Sequence, residues 1–485
     1  MRDWLAREPI IITSGKGALL RDVNGKEYLD ANSSIWTNLH GHGDPRIDAA
    51  IQRQLKKIAH SSALGLANEP ASLLAEKLIA AANSDDAECG TRNAKLANAS
   101  SIPRASRLTP HLTKVFFSDD GSTAMEVALK LAYEFARRQG QKRPRFLSLE
   151  GAYHGDTIGA VSLGHIDRFH KAYAGLLFKT DAVKAPYCYR CPFNRAKPQR
   201  ADAREYRKCK WECVDAIEQK FAQQKRKRGP YSAMVIEPLI QGAAGMIPQP
   251  AGWLRRVAEI VRDHRAQLIA DEVLTGFGRT GLGPPLSSET PHASPSLFAC
   301  HHENVQPDFL ALAKGMTAGY LPMAATLVTQ AVFDAFLGEY SEFKTFFHGH
   351  SFTANQLGSA AALASLELLH TRSSLRARVQ LEQSLRDQLQ TLWPLGNVGD
   401  VRQVGLIAGV ELVKNWKTRE SFDLREQAGL RVCEAMARRG VLTRPIGNVI
   451  VVMPPYCTTA GQIEKIVSVL RQSIGDVLAE SQDAR

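Results

Sequence analysis

The sequence predicts an α/β protein with two units. A large domain has a mostly parallel sheet with helices on both faces, and a small α+β domain is formed from the N- and C-terminal segments. From about residue 70, apolar runs that resemble buried strands alternate with helical stretches, which is the pattern of βαβ units. After about residue 365, two amphipathic helices bracket short strands, which indicates a separate unit.

A chain of 485 residues exceeds what one hydrophobic core usually supports, so we expect more than one domain. Residues 1–60 are predicted to belong to the small domain, 61–364 to the large domain, and 365–485 to complete the small domain. Within the large domain, 188–230 and 282–297 have the composition of insertions.

The predicted elements are these, in chain order. Residues 18–23 and 27–30 flank Asn24-Gly25, a strong hairpin signal. Helices are predicted over 70–82 and 122–138. The predicted buried strands are 114–118, 145–149, 233–237, 267–271, 308–311 and 324–328. In the C-terminal unit, helices are expected near 375–392 and 423–439 and from about 460, with strands near 405–412 and 449–453.

The composition, 44% apolar and 23% charged, is that of an ordinary globular protein. No run approaches the roughly 20 apolar residues of a membrane span, and the first nine residues lack the features of a secretory signal. Eight cysteines in this length are too few for a disulfide framework. We therefore expect a cytoplasmic protein without a membrane partner.

The net charge of +12 arises mainly from an excess of lysine and arginine in 195–228. No aromatic residues are interleaved there as in a nucleic-acid stacking platform. A solvated basic insertion is therefore favoured over a specific nucleic-acid site. Cys188, Cys191, Cys209 and Cys213 in the same region have spacing compatible with zinc. Free thiols in a surface loop are the interpretation we adopt, with no metal assigned.

Two strand ends carry the chemistry. Lys314 follows the apolar run 307–313 and precedes a glycine, and Asp271 ends the run 267–270. An amine and an acid on neighbouring strand ends suit pyridoxal phosphate. Lysine forms the Schiff base with its aldehyde, and aspartate keeps the pyridine nitrogen protonated.

Further strand ends complete the constellation. Gly121 and Ser122 open a helix after a strand and form a phosphate cradle. Tyr153, on another loop after a strand, is placed to stack on a pyridine ring. Glu237 ends a third strand. Because ligands of open parallel sheets bind outside the carboxyl ends of the strands, these side chains should converge with Asp271 and Lys314.

The segment 273–281 after Asp271-Glu272, with Lys314-Gly315 downstream, resembles the class III aminotransferases of fold type I, which depend on pyridoxal phosphate. The resemblance runs from near residue 9 to the C-terminal helix. Several blocks are similar to family members that convert 8-amino-7-oxononanoate to 7,8-diaminononanoate in biotin synthesis, with S-adenosylmethionine as amino donor. These blocks are 33–36, 40–42, 120–126, 153–157, 348–352 and 453–456.

The resemblance implies a role for each matching residue. Lys314 binds the cofactor covalently and moves the proton, Asp271 pairs with the pyridine nitrogen, and Tyr153 stacks on the ring. The phosphate is held by Gly121 and Ser122, and Ser351 of the partner subunit completes that site. The resemblance therefore implies a homodimer with shared active sites and a ping-pong reaction.

The resemblance also implies a substrate site. Arg444 takes the carboxylate of 8-amino-7-oxononanoate, because a guanidinium binds a carboxylate through two parallel hydrogen bonds. Trp36 forms an aromatic wall, Tyr456 lies near the donor, and Arg279 lies beside the catalytic lysine. The resemblance further implies that Gly349, Tyr153 and Lys314 contact the substrate.

Some alternatives stay open. Segments 164–170 and 185–192 resemble a branch of the family in which lysine donates the amine, whereas Tyr456 favours S-adenosylmethionine. Ile35 replaces a tryptophan found in some relatives. Met1-Arg2-Asp3 resembles the residues immediately after an early block of the family, so we expect a native start upstream. Another class III aminotransferase, which uses an ω-amino acid or diamine donor and a 2-oxo acid, is the alternative enzyme. A non-catalytic RNA-binding scaffold is the remote alternative.

Overall fold

The structure is a computed structural model that describes residues 7–83, 110–227, 229–281 and 296–483. Its strands in chain order are Ile12–Lys16 (β1), Leu19–Asp22 (β2), Glu27–Asp30 (β3), Leu112–Ser118 (β4), Phe146–Leu149 (β5), Asp181–Val183 (β6), Ala233–Ile236 (β7), Ile240–Gln241 (β8), Ile247–Pro248 (β9), Gln267–Asp271 (β10), Phe309–Leu312 (β11), Ala324–Thr329 (β12), Val398–Val404 (β13), Ile407–Asn415 (β14), Glu420–Ser421 (β15), Val441–Leu442 (β16), Pro445–Ile446 (β17) and Val449–Val452 (β18).

The right-handed helices of the described residues are Pro45–Lys57 (α1), Glu69–Ala82 (α2), Gly121–Arg138 (α3), Ile158–Leu163 (α4), Asp167–His170 (α5), Ala203–Tyr206 (α6), Glu212–Arg226 (α7), Trp253–Asp263 (α8), Gln330–Asp334 (α9), Gln356–Leu369 (α10), Arg372–Gln390 (α11), Ala428–Arg438 (α12) and Ala460–Asp483 (α13). Short 3₁₀ turns are Lys171–Leu176, Cys188–Arg190, Ala299–Glu303, Lys314–Thr317, Tyr340–Glu342 and Leu424–Glu426. Ser33–Trp36 is a helical turn with positive φ angles.

A seven-stranded sheet forms the centre of the large domain, in the order β4-β12-β11-β10-β7-β5-β6. The neighbours from β11 to β6 are parallel, and β12 is antiparallel to both β11 and β4. Each of the six strands predicted for this domain is present, with boundaries within two residues. The predicted mostly parallel sheet is therefore confirmed.

Helices cover both faces of this sheet. In β10, Leu268 and Ala270 belong to one core cluster together with Trp253 of α8. Ile269 points to the other face and belongs to a second cluster with the apolar residues of α3, such as Val127. Since successive strand residues face opposite sides, a strand buried on both faces needs the continuous apolar run that the sequence shows.

The two ends of the chain meet in a second sheet, β1-β2-β3-β16. The predicted hairpin is confirmed, because β2 and β3 pair antiparallel around Gly25, whose φ is 81°. Strand β3 pairs parallel with β16 from the C-terminal part. A further antiparallel sheet, β13-β14-β18-β17, follows in the C-terminal region. The domain boundaries themselves stay a prediction.

The first predicted insertion is built into the fold. Helix α7 buries Val214, Ile217 and Phe221 in the main core, so this stretch is more than the solvated loop that its charge suggests. Residues 282–295 of the second insertion lie outside the described residues. Within the described ranges, no helix combines the length and the apolar character needed to cross a membrane.

Candidate active site

The side chains predicted at the strand ends converge on one cavity of about 420 Å³. Strands β10 and β11 are parallel neighbours, with Asp271 in register with Ala311, and Lys314 follows just beyond the end of β11. The convergence is therefore a consequence of the sheet's topology. The predicted residues that line this cavity are Trp36, Gly121, Ser122, Tyr153, Glu237, Asp271 and Lys314.

Lys314 opens a 3₁₀ turn and has a φ of 42°, a left-handed conformation that is uncommon for a residue with a Cβ. Its Nζ lies 5.0 Å from the centroid of the Trp36 ring. Burial lowers the pKa of Lys314, while the negative charges of Asp271 and Glu237 oppose that shift. A lowered pKa increases the fraction of the amine that is neutral and nucleophilic near pH 7.

Asp271 is held by a buried histidine. Its Oδ2 lies 2.7 Å from Nδ1 of His154, and its Oδ1 accepts a hydrogen bond from the backbone N–H of Val273. Burial alone would lower the pKa of His154, but the hydrogen bond and charge of Asp271 outweigh it and raise that pKa. Nε2 of His154 is buried without a hydrogen-bond partner among the described residues. This histidine therefore fixes the orientation of the carboxylate.

Glu237 fixes the loop that carries Tyr153. One carboxyl oxygen accepts from the backbone N–H of Tyr153 at 3.1 Å, and the other from that of Gly242 at 2.8 Å. Burial raises the pKa of Glu237 to about 7. Tyr153 is thus anchored through its backbone to a strand end of the central sheet.

The N-terminus of α3 forms the other end of the cavity. The side chain of Asp120 caps Thr123, and the amides of Gly121 and Ser122 occupy the first two helical positions, where no intrahelical acceptor exists. A Cβ on Gly155 would lie 2.1 Å from the hydroxyl oxygen of Ser122. Glycine at that position therefore keeps the space around the hydroxyl open.

These residues fit pyridoxal phosphate. Two free amides and a hydroxyl at a helix N-terminus suit a phosphate. The carboxylate of Asp271, fixed by His154, is available for a protonated pyridine nitrogen, and the amine of Lys314 is available for an aldehyde. The polar groups of the cavity thus match the phosphate, the pyridine nitrogen and the aldehyde of pyridoxal phosphate.

A second cavity of about 920 Å³ shares the walls formed by Trp36, Tyr153 and Lys314. It is lined mainly by apolar and aromatic side chains, with Arg444 at its wall. Arg444 lies between β16 and β17, in the C-terminal part of the chain, and is exposed. A long apolar substrate with a terminal carboxylate would fit between Lys314 and this guanidinium.

Trp36 reaches both cavities because of the left-handed turn Ser33–Trp36, where φ lies between 46° and 75°. Asp30 stabilises the turn by accepting hydrogen bonds from the backbone N–H and the hydroxyl of Ser34. The indole N–H of Trp36 donates to Asn32 at 2.8 Å. Such backbone strain persists where the surroundings fix it, commonly at functional sites.

Four predicted site residues line neither of these two cavities. Gly349 and Ser351 are exposed at the surface. Tyr456 is buried, and its hydroxyl donates to the carbonyl of Phe277 at 2.9 Å. The guanidinium of Arg279 lies 5.0 Å from the Tyr456 ring centroid, away from both cavities, and donates to the carbonyl of Pro454.

Sequence reasoning missed His154, Asp156 and His170. His154 holds Asp271, and the other two line the second cavity beside Tyr153. The sequence shows that His154 directly follows Tyr153. Only the folded chain shows that His154 pairs with Asp271, which is 117 residues away.

The four clustered cysteines, Cys188, Cys191, Cys209 and Cys213, are all described and carry free thiols. In the part of the chain that the structure describes, no group of three or more His, Cys, Asp or Glu side chains has the arrangement needed to hold a metal ion.

The sequence profile described as aminotransferase class-III matches residues 3–474. The adenosylmethionine-8-amino-7-oxononanoate aminotransferase of Geobacter sulfurreducens is 45% identical over 98% of this chain and 94% of its own length. A solved structure of the enzyme with that name from Methanocaldococcus jannaschii has a TM-score of 0.82, with 36% identity, covering 98% of this chain and 95% of that one. An amine transaminase from an uncultivated Pseudomonas species, in its PLP-bound form, has a TM-score of 0.81 with 30% identity over 97% and 96% of the two chains.

Proposed function

Because this chain belongs to the class III aminotransferase family, we propose that it transfers an amino group to 8-amino-7-oxononanoate, forming 7,8-diaminononanoate in biotin synthesis. The chain is a pyridoxal phosphate-dependent aminotransferase, and S-adenosylmethionine is the proposed donor. One observation carries the proposal: the cavity around Lys314 shares the walls formed by Trp36, Tyr153 and Lys314 with a larger, mainly apolar cavity that Arg444 also lines.

When bound, pyridoxal phosphate would supply an electron-accepting ring and an aldehyde group that takes up the amino group between two half-reactions. Asp271 stabilises positive charge at the pyridine nitrogen, and His154 holds that carboxylate in place. Lys314 moves the proton at the substrate carbon, for which its lowered pKa suits it. Gly121 and Ser122 bind the phosphate at the positive end of α3.

The second cavity selects the acceptor. Its apolar walls, with Trp36 and Ile35, bury an aliphatic chain, and Arg444 binds the carboxylate at the far end. The site would thereby select substrates by the distance between the reacting carbonyl and the terminal carboxylate. Shorter oxo acids would leave the guanidinium or the apolar wall without its partner.

We propose a homodimer whose partner completes each site. Large apolar side chains on either side of Ser351 in the chain are exposed, namely Phe347 (69%) and Phe352 (59%), and Leu64 (92%) is exposed as well. Exposed apolar groups of this kind mark protein interfaces. Gly349 and Ser351, which lie outside this chain's own cavities, would then contact the partner's cofactor phosphate and substrate.

A role for Tyr456 in binding the amino donor stays a prediction. In this structure its hydroxyl donates a hydrogen bond to the carbonyl of Phe277. Lysine stays the alternative donor. We place the enzyme in the cytoplasm, which is consistent with the free thiols of all the cysteines that the structure describes.

The proposal is tested by assaying purified enzyme with 8-amino-7-oxononanoate and, in parallel, S-adenosylmethionine or lysine. We expect 7,8-diaminononanoate with at least one donor, and no product from the Lys314→Ala variant. Turnover of ω-amino acids with pyruvate, and none of 8-amino-7-oxononanoate, would instead support the alternative class III activity. Borohydride reduction followed by peptide mapping should label position 314.

A further inference from the structure

We propose that His170 is a positioning residue of this active site, which fixes the side chain of Tyr153 through the carboxylate of Asp156. The inference extends the proposed function, since it adds a residue to the wall that both substrates meet. Tyr153, Asp156 and His170 all line the 920 Å³ cavity. The role of His170 does not depend on which donor is used.

The three side chains form a continuous hydrogen-bonded chain. The Tyr153 hydroxyl donates to Oδ2 of Asp156 at 2.8 Å. Oδ1 of the same carboxylate lies 3.3 Å from Nε2 of His170. The rings of Tyr153 and His170 are nearly parallel, with an interplanar angle of 14° and centroids 6.1 Å apart. The carboxylate thus links the two rings at their polar edges.

The tautomer of His170 is set by its other nitrogen. The backbone N–H of Ile166 donates to Nδ1 of His170 at 3.1 Å, so Nδ1 is an acceptor. The ring proton is therefore on Nε2, which donates to Asp156. Because His170 is only 2% exposed and closes the short helix α5, its ring has little freedom to turn away.

Asp156 needs this support. Its side chain is 73% exposed at the cavity, whereas that of His170 is 3% exposed. An exposed carboxylate with a single hydrogen bond would rotate freely. The backbone N–H of Asp156 donates to the Ser122 hydroxyl at 3.3 Å, so the same residue also contacts the phosphate end of the site. His170 supplies the buried, rigid end of the chain.

The consequence is that Tyr153 is fixed both at its backbone and at its hydroxyl. Glu237 holds its backbone N–H, and the pair of Asp156 and His170 holds its hydroxyl. A ring that stacks on a cofactor and borders a substrate cavity acts through its orientation. Loss of the His170 donor should therefore weaken both cofactor binding and turnover without unfolding the protein.

Two variants separate the donor from the shape of the ring. His170→Phe keeps an aromatic ring but has no donor, and His170→Gln places an amide N–H near the position of Nε2. We expect His170→Phe to lower kcat/KM for 8-amino-7-oxononanoate about 10-fold, the size expected for loss of one hydrogen bond to a charged group. His170→Gln should stay within about threefold of the parent, since it restores that bond.

Cofactor affinity gives a readout that needs no turnover. Titration of the apoenzyme with pyridoxal phosphate should give a Kd raised about fivefold in His170→Phe and unchanged in His170→Gln, as expected for partial loss of a positioning bond. Thermal unfolding of both variants shows that they fold. If the wild type binds pyridoxal phosphate but does not use 8-amino-7-oxononanoate, the proposed function fails while this test of His170 remains valid.

A double-mutant cycle tests the path through Asp156. Asp156→Ala removes the acceptor of both hydrogen bonds, so if His170 acts through that carboxylate, His170→Phe should cause no further loss in an Asp156→Ala background. Additive losses would overturn the inference. Equal behaviour of the Phe and Gln variants would overturn it as well, because it would leave His170 with a packing role alone.

Discussion

At the scale of single residues, the site depends on a few polar side chains whose neighbours fix their orientation and charge. Asp271 is held by His154, Tyr153 by Glu237 and Asp156. Each holding contact joins residues that are close in space and, in most cases, distant in sequence. The motifs predicted residues that line the cavity, Glu237 among them, but the contacts that hold these side chains emerged only from the fold.

Arg444 provides a test at this scale. Arg444→Ala should raise KM for 8-amino-7-oxononanoate about 10- to 100-fold, because charge-assisted hydrogen bonds to the carboxylate are lost. The effect on kcat should be smaller, since the guanidinium is remote from the reacting carbon. Arg444→Lys should recover only part of the loss, because an ammonium lacks the planar fork.

Steady-state kinetics with the acceptor varied provide the measurement. Arg471→Ala, which removes an exposed arginine on α13, is the matched control and should behave as the parent. An unchanged KM in Arg444→Ala would remove Arg444 from the substrate site.

At the scale of elements, tight turns at the ends of strands and helices shape the cavities. The turn Ser33–Trp36 is left-handed throughout, and the loop at Gly155 approaches the N-terminus of α3 closely. Neither conformation follows from helix or strand propensity. Both place a functional side chain, Trp36 or Ser122, against the space where the cofactor fits.

Gly155→Ala should raise the Kd for pyridoxal phosphate at least about 10-fold, because its Cβ would meet the Ser122 hydroxyl oxygen at 2.1 Å. Gly140→Ala is a matched control, since Gly140 also has a positive φ of 89° but has no atom within 4 Å of the new Cβ. Both variants should lose about 1 kcal/mol of stability from the backbone conformation. Equal cofactor affinities, measured by titration of the apoenzymes, would contradict the expectation.

Ile35 tests the strain of the left-handed turn. It is β-branched, 48% exposed, and has a φ of 66°. Ile35→Gly should increase the free energy of unfolding by about 1 kcal/mol, because glycine adopts this conformation without steric conflict.

The same variant should raise KM for the acceptor, since Ile35 lines the second cavity. Ile35→Val keeps the branched side chain and should change neither quantity much. Urea unfolding together with kinetics measures both effects. A loss of stability in Ile35→Gly would show that the turn is not strained.

At the scale of the whole molecule, a buried charge network joins the first insertion to the C-terminal sheet. Arg402 donates to Asp400 at 3.0 Å and to Glu411 at 2.7 Å, and Arg190 also pairs with Glu411. The hydroxyl of Tyr187 donates to Glu411 as well. Two guanidinium groups thus compensate Glu411, whereas Asp400 shares one of them.

This network predicts a pH dependence of stability. Burial raises the pKa of Asp400 to about 7, from an ordinary value of 3.8. Between these values the folded state retains a proton that the unfolded state has lost. Stability should therefore fall as pH rises through this window, by up to about 1.4 kcal/mol per pH unit for one group.

Asp400→Asn removes this proton and should flatten the slope of unfolding free energy between pH 5 and 8. Part of the slope should remain, because burial also raises the pKa of Glu237 and of Glu272 to about 7. Urea unfolding of the holoenzyme at several pH values is the measurement. Asp387→Asn, at an exposed position on α11, is the control. A slope identical to that of the parent would contradict the prediction.

The sequence was sufficient for the class of fold and for the convergence of the predicted site residues on one cavity. Apolar runs of strand length alternate with helices, and parallel strands bring their carboxyl ends to one edge. Lys314, Asp271, Tyr153, Gly121 and Ser122 therefore had to converge, and they do. These predictions succeeded because each depends on local pattern and on one rule of sheet topology.

The tertiary structure decided the rest, because packing between distant segments leaves no periodic trace in a sequence. It paired His154 with Asp271, turned the Tyr456 hydroxyl to the Phe277 carbonyl, and left Ser351 exposed. It also connected His170 to Tyr153 through Asp156. Such contacts depend on where whole elements lie relative to one another, and only the folded chain specifies that.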